Sequence, residues 1–149
     1  MTIPEKISAL RSAMKAHRID AYLVGSADPH QSEYVAEYWQ SRVWLSGFDG
    51  SAGTLVVTQD ATKLWTDSRY FIQGEEQLAG TGIDLMKLKV PHTPEYIEWL
   101  TKELKPGQTL GMDGQVVSVA QANRLEKEMQ EVDVNCVLQH DLLADAWSD

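Results

Sequence analysis

The first apolar positions with a clear period are Ile7, Leu10 and Met14, which follow Thr2 and Glu5 at helical spacing. That pattern predicts an amphipathic surface helix opened by a Thr–Glu capping box, ending near His17 and Arg18, where cations suit the helix dipole. AYLVGS (21–26) is a continuous apolar run closed by small residues, and it predicts a buried strand. Pro29 opens a turn, a short helix is expected over 32–38, and VWLSG (43–47) reads as a short strand. TLVVT (54–58) and KLWTD (63–67) form two β-type runs joined by QDAT, the signature of a hairpin.

Beyond residue 60 the pattern alternates. A helix over about 69–78 leads to the strand IDLMKL (83–88). Thr93 and Pro94 then start a helix whose stripe is Ile97, Leu100 and Leu104, and Pro106–Gly107 stops it. TLGMDG (109–114) is a strand, and Ser118 and Gln121 open a long helix with Ala122, Leu125, Met129 and Val132 inward. VNCVLQ (134–139) closes as a strand. Strands alternating with helices define an α/β layer fold, and the early hairpin makes its sheet mixed.

The length of 149 residues fits one domain, 1–149, without internal repeat or linker. DLLADAWSD leaves Leu142, Leu143 and Trp147 at the end with nothing after them. They are expected either to fold back or to mark a cut just past a domain boundary. No apolar run reaches the length of a bilayer span, and the charged first helix is no signal peptide. One cysteine, Cys136, rules out an internal disulfide and fits a cytoplasmic location; within its strand it reads as a buried small hydrophobe. The net charge of −9 disfavours nucleic acid and anionic membrane as partners. It also makes the Trp residues at 39, 44, 65, 99 and 147 core and interface material, not a base-stacking platform.

LSGFDGSAGTLVV (45–57) carries glycines at 47, 50 and 53 and invites a reading as a phosphate loop or a nucleophile elbow. Both fail. The loop runs into a β-type segment instead of a helix, holds Asp49 and no Lys or Arg, and DGSAG lacks the G-x-S-x-G spacing. GTG (80–82) likewise precedes a strand. The glycines are therefore assigned to tight turning and close backbone approach. Metal chemistry has as little support: His17, His30, His92 and His140 are scattered, with neither H-E-x-x-H nor a Cys pair. Asp28-Pro29-His30 and Asp67 are turn residues before they are arms of a site.

One residue resists a purely structural account. In WTDSRYFIQ, Asp67 or Ser68 caps the helix after KLWTD, so Arg69 falls in the first turn, where a cation opposes the dipole. Either Arg69 bridges to Asp67 or Asp49 and fixes the loop, or it presents a guanidinium at a strand's carboxyl end to a carbonyl or carboxylate.

SADPHQSEYV, VWLSGFDGSAGTLVVT and LWTDSRYFIQ, in that order and spacing, resemble the N-terminal domain of the Xaa-Pro aminopeptidase (aminopeptidase P) family, within the creatinase/prolidase-like metallopeptidases. DLLADAWSD resembles the segment that leads into that family's catalytic domain, so the resemblance covers essentially the whole chain. It implies a mixed, mostly parallel β-sheet flanked by helices on both faces, without the reaction itself. The family's two divalent metal ions, typically manganese, are held by Asp, His and Glu residues of a C-terminal pita-bread domain, and no metal ligand is expected here. The parent would remove an N-terminal residue that precedes proline, with a metal-bridging hydroxide as nucleophile.

By the same resemblance Arg69 is the arginine that reaches substrate peptide, and His30, Asp49 and Asp67 support the loop architecture. The implied partners are peptides with proline at the second position, the chain's own catalytic domain and a possible homodimer. The segment alone is expected to be inactive. The competing readings are an oligomerisation module of a prolidase- or creatinase-like hydrolase, and a parent that is a dipeptidase or small-amidine hydrolase.

Overall fold

The computed structural model describes residues 2–24, 42, 44–48, 53–89, 95–112 and 119–138, without the side chains of 119–122 and 138. Helix α1 (Ile3–Ala16) begins where Thr2 Oγ1 accepts the backbone N–H of Glu5, and it buries Ile7, Leu10 and Met14. It ends with Arg18 in the left-handed region (φ 58°), which lets Ile19 N–H bond back to the Met14 carbonyl at 2.8 Å.

Strand β1 (Ala21–Val24) follows, then the hairpin of β2 (Thr54–Thr58) and β3 (Thr62–Thr66). Helix α2 (Phe71–Leu78) leads to β4 (Asp84–Lys87), α3 (Glu95–Glu103) to β5 (Thr109–Met112), and α4 (Val119–Glu131) to β6 (Asn135–Leu138). The six strands form one sheet in the order β4-β3-β2-β1-β5-β6. Only β2 runs against its neighbours; the β1–β5, β5–β6 and β3–β4 pairs are parallel. The expected mixed, mostly parallel α/β sheet is the observed one.

Period-two alternation divides the core between the two faces of the sheet. Tyr22, Val24, Leu55, Val57 and Leu64 pack with Ile7, Leu10 and Met14 of α1, and with Leu45, Phe48 and Leu78. Ala21, Leu23, Val56, Trp65, Leu110 and Met112 pack on the other face with Ile97 and Leu100 of α3 and Leu125 and Met129 of α4. Helices therefore cover both faces, which is why the central strands read as continuous apolar runs.

Two expectations are corrected. VWLSG is no strand: residues 42 and 44–46 are helical. A helical turn buries Leu45 fully and lets the Ser46 hydroxyl donate to the Arg42 carbonyl at 2.7 Å, then accept the Phe48 N–H at 3.1 Å. Cys136 is half-buried rather than sealed in the core. The helix expected over 32–38, the Thr93–Pro94 cap and the terminal DLLADAWSD lie outside the described residues.

Candidate functional site

All six strands bring an end to one rim: the carboxyl ends of parallel β1, β3, β4, β5 and β6 and the start of antiparallel β2. At this rim Asp67 leaves β3 in an extended conformation (φ −91°, ψ 174°), and its carboxylate accepts the backbone N–H of Arg69 at 3.0 Å. A single 3-10 turn, Ser68–Tyr70, results, and α2 continues from it. Of the two candidate caps, Asp67 is the one used.

The same carboxylate takes the Arg69 guanidinium side-on, Nε to Oδ1 at 3.0 Å and Nη2 to Oδ2 at 2.8 Å. This anion offsets the cost of a cation in the first helical turn. The two side chains differ in exposure: 60% for Arg69 against 5% for Asp67. The carboxylate is part of the interior, while the guanidinium stands in solvent. The hydrogen bonds to Asp67, and then its charge, raise the Arg69 pKa above its ordinary value, so the group is a permanent cation.

A guanidinium carries five N–H groups, and Asp67 engages one on Nε and one on Nη2. Among the described residues the two on Nη1 and the second on Nη2 meet no acceptor. The Tyr70 ring lies 5.2 Å from the guanidinium carbon. Such an arrangement can donate a forked pair of hydrogen bonds to a carbonyl or carboxylate.

Beneath the rim lies a residue that sequence reasoning missed. Arg42 is 1% exposed, donates from Nη1 to the Gly53 carbonyl at 3.0 Å, and places its guanidinium carbon 5.5 Å from the Phe48 ring centre. The available signal was a cation inside the apolar stretch RVWL, which is rare on a helix unless the charge has partners. Of the three glycines of the 45–57 stretch, Gly47 and Gly53 lie among the described residues. Gly47 takes a φ of 75°, and a Cβ on Gly53 would sit 3.1 Å from Phe48 and 3.2 Å from Arg42.

His30 and Asp49 lie outside the described residues, so Asp67 is the one expected supporting residue whose contacts are seen. Among the described residues no group of three or more His, Cys, Asp or Glu could hold a metal ion, and the two divalent ions implied by the resemblance find no ligand set there. No helix of the described residues is long and apolar enough to cross a membrane. Surface clefts of about 360 Å³ beside Val134 and Asn135, and about 330 Å³ between Arg11 and Gly82, open at the amino ends of the strands, on the rim opposite Arg69.

With this geometry in place, the comparisons define the class. Residues 6–143 match the model of the Creatinase/Prolidase N-terminal domain, and the chain belongs to that family. It is 39% identical over its whole length to Aminopeptidase P2 of Arabidopsis thaliana, of which it covers 21%. It is 40% identical over 84% of its length to a probable Xaa-Pro aminopeptidase P of Laccaria bicolor, of which it covers 19%. The chain thus spans about a fifth of the length of these curated relatives.

Among solved structures, X-prolyl aminopeptidase from Caenorhabditis elegans, described as a cytosolic enzyme with a di-nuclear active site, matches all of this chain. The TM-score is 0.86 and the identity 34%, with 26% of that chain covered. The N-terminal domain of the cytoplasmic peptidase PepQ from Mycobacterium tuberculosis H37Rv shares the fold at a TM-score of 0.73 and 21% identity; 95% of this chain and 97% of that one are covered.

Proposed function

We propose that this chain is the non-catalytic N-terminal domain of a cytoplasmic, metal-dependent Xaa-Pro aminopeptidase, and that it presents Arg69 to the peptide substrate at the mouth of an active site built by a separate catalytic domain. The observation that carries the reading is the asymmetric pair at the end of β3: a buried carboxylate grips an exposed guanidinium and leaves three of its N–H groups without an acceptor among the described residues. An ion pair serving stability alone gains little from holding one partner in solvent. A binding group gains from being held, because less conformational freedom is lost when ligand arrives.

The relatives support the rest. The curated relatives from Arabidopsis thaliana and Laccaria bicolor are named as aminopeptidases P, and the Caenorhabditis elegans X-prolyl aminopeptidase is described as cytosolic with a di-nuclear active site. Two divalent metal ions, bound by the catalytic domain, would supply the hydrolytic chemistry. Arg69 would bind a backbone carbonyl or the terminal carboxylate of a peptide extending beyond the scissile bond.

Arg69→Ala in the full-length polypeptide tests this with X-Pro peptides of increasing length. A charge-assisted hydrogen bond is worth about 1.5–3 kcal/mol, so kcat/KM for longer peptides should fall about tenfold or more. The shortest substrates, which do not reach Arg69, should be turned over as before. Unchanged kinetics at every length would remove the substrate role.

A further inference from the structure

We propose that Tyr70 and Phe48 are positioning residues for Arg69, braced from behind by Arg42 and Gly53. The inference rests on the reading of Arg69 given above. Two hydrogen bonds to Asp67 fix one edge of the guanidinium but leave it free to rock about that edge. The Tyr70 ring, 5.2 Å from the guanidinium carbon, blocks rocking to one side and attracts the cation through its π face.

Tyr70 is itself held. Its ring is partly buried against the core of the α1 face and meets the Phe48 ring edge-on, at 6.2 Å and an interplanar angle of 88°. Phe48 is fully buried, its backbone N–H bonds to Ser46 Oγ, and Arg42 lies 5.5 Å from its ring. Arg42 in turn donates to the Gly53 carbonyl, at the spot where a Cβ would press on both Arg42 and Phe48. A continuous series of contacts therefore runs from a sealed arginine, through two rings, to an exposed one. Local propensity does not require it: a 3-10 turn capped by Asp67 forms with any ordinary residue at position 70. What the series supplies is preorganisation of a long side chain that otherwise samples many rotamers.

Tyr70 as mere core filling makes a different prediction, since truncating it would then change stability and leave Arg69 alone. The test reads the Arg69 Nε–Hε group of the 149-residue chain by ¹⁵N relaxation and solvent exchange. Tyr70→Leu should speed its exchange about two- to fivefold, the scale of an exposed cation–π contact. Phe48→Leu should act in the same direction, and Tyr70→Phe, which keeps the ring, should stay near wild type. Thermal unfolding checks that each variant is folded; should Tyr70→Leu fail to fold, Phe48→Leu against Tyr70→Phe carries the same comparison. Exchange and relaxation unaltered in both leucine variants overturn the proposal.

Kinetics of the full-length polypeptide separate the two claims. Tyr70→Leu should raise KM for longer X-Pro peptides about two- to fivefold at unchanged kcat. If Arg69→Ala impairs these peptides and Tyr70→Leu does not, positioning is refuted and the substrate role stands. If Arg69→Ala has no effect, the substrate role falls, and the relaxation data alone decide whether Tyr70 orders the guanidinium.

Discussion

Asp67 and Arg69, two residues apart, share three hydrogen bonds across the surface of the molecule: one from the Arg69 backbone and two from its guanidinium. The carboxylate does two tasks at once, capping the turn after β3 and aiming the cation. Because it is buried and the cation is not, the two ends of the pair are not equivalent energetically. Removing the exposed end leaves a cap still in use. Removing the buried end leaves a turn uncapped and a guanidinium loose.

The first prediction is this asymmetry. Arg69→Ala should leave folding stability close to wild type, as for exposed ion pairs. Asp67→Ala should cost about 1–3 kcal/mol through the lost cap and the unmatched donors. Both should impair turnover of long peptides by the full-length polypeptide. Urea midpoints paired with kcat/KM measure the split, and equal stability losses would show that the pair is a structural bridge only.

Gly53→Ala makes the second. A Cβ there would press at 3.1 Å on Phe48 and 3.2 Å on Arg42, both sealed in the interior and unable to move aside freely. Overpacking of this kind typically costs about 1–3 kcal/mol. Thermal unfolding should show the loss, and NMR shifts of the Phe48 and Tyr70 rings should move with it. A variant as stable as wild type would mean that the loop yields, and that glycine here serves only the chain path.

The outcome at this site shows what the chain discloses and what it hides. The central strands were legible as continuous apolar runs, but which face each side chain takes was not. Ala21, Tyr22, Leu23 and Val24 are all apolar and all buried, and only the fold assigns Tyr22 and Val24 to one layer and Ala21 and Leu23 to the other. Arg69 was legible as an anomaly, a cation where the helix dipole disfavours one. Its choice of Asp67 is a local event, two positions away. Arg42 was hidden, because its carbonyl partner at Gly53 and its ring partner Phe48 become neighbours only when the chain folds. VWLSG was misread for a related reason: five apolar or small residues fit a strand as well as a helical turn, and the Ser46-to-Arg42 bond that decides between them has no periodic signature. The pairing of β1 with β5, some ninety positions apart in the chain, likewise has no local trace.

A third prediction concerns the helix ends. Arg18 and Asp133 both occupy the left-handed region, at φ 58° and 59°, where α1 and α4 stop. The following N–H groups, of Ile19 and Val134, bond back to Met14 and Met129 at 2.8 and 2.9 Å. Glycine usually fills this position, since a Cβ is strained there. Arg18→Gly should therefore raise stability by about 0.5–1 kcal/mol, after the entropy that glycine adds to the unfolded chain is subtracted. Asp133→Gly should gain less, because Asp tolerates the conformation better than Arg. Chemical denaturation of the two variants side by side checks both the sign and the order.

The last prediction concerns Cys136 and pH. Burial, and secondarily the charge of Glu126, push its thiol from an ordinary value of 9.0 up to about 11. Well below pH 9 the thiol is almost fully protonated in folded and unfolded chains alike, so there it adds almost no pH dependence. Between pH 9 and 11 the unfolded chain releases this proton while the folded one keeps it. The unfolded state then binds fewer protons, and stability falls with rising pH across that window. Comparing wild type with Cys136→Ser isolates the effect: the stability difference should be flat at neutral pH and shift against the wild type as pH passes through 9. The same displacement protects the sulfur at pH 8. The thiolate fraction drops about a hundredfold relative to the unfolded chain, partly offset by the greater nucleophilicity of a more basic thiolate, so alkylation by iodoacetamide should slow about tenfold. Alkylation of the folded chain as fast as in urea would mean that Cys136 ionises as an exposed thiol and that the strand–helix contact around it is open.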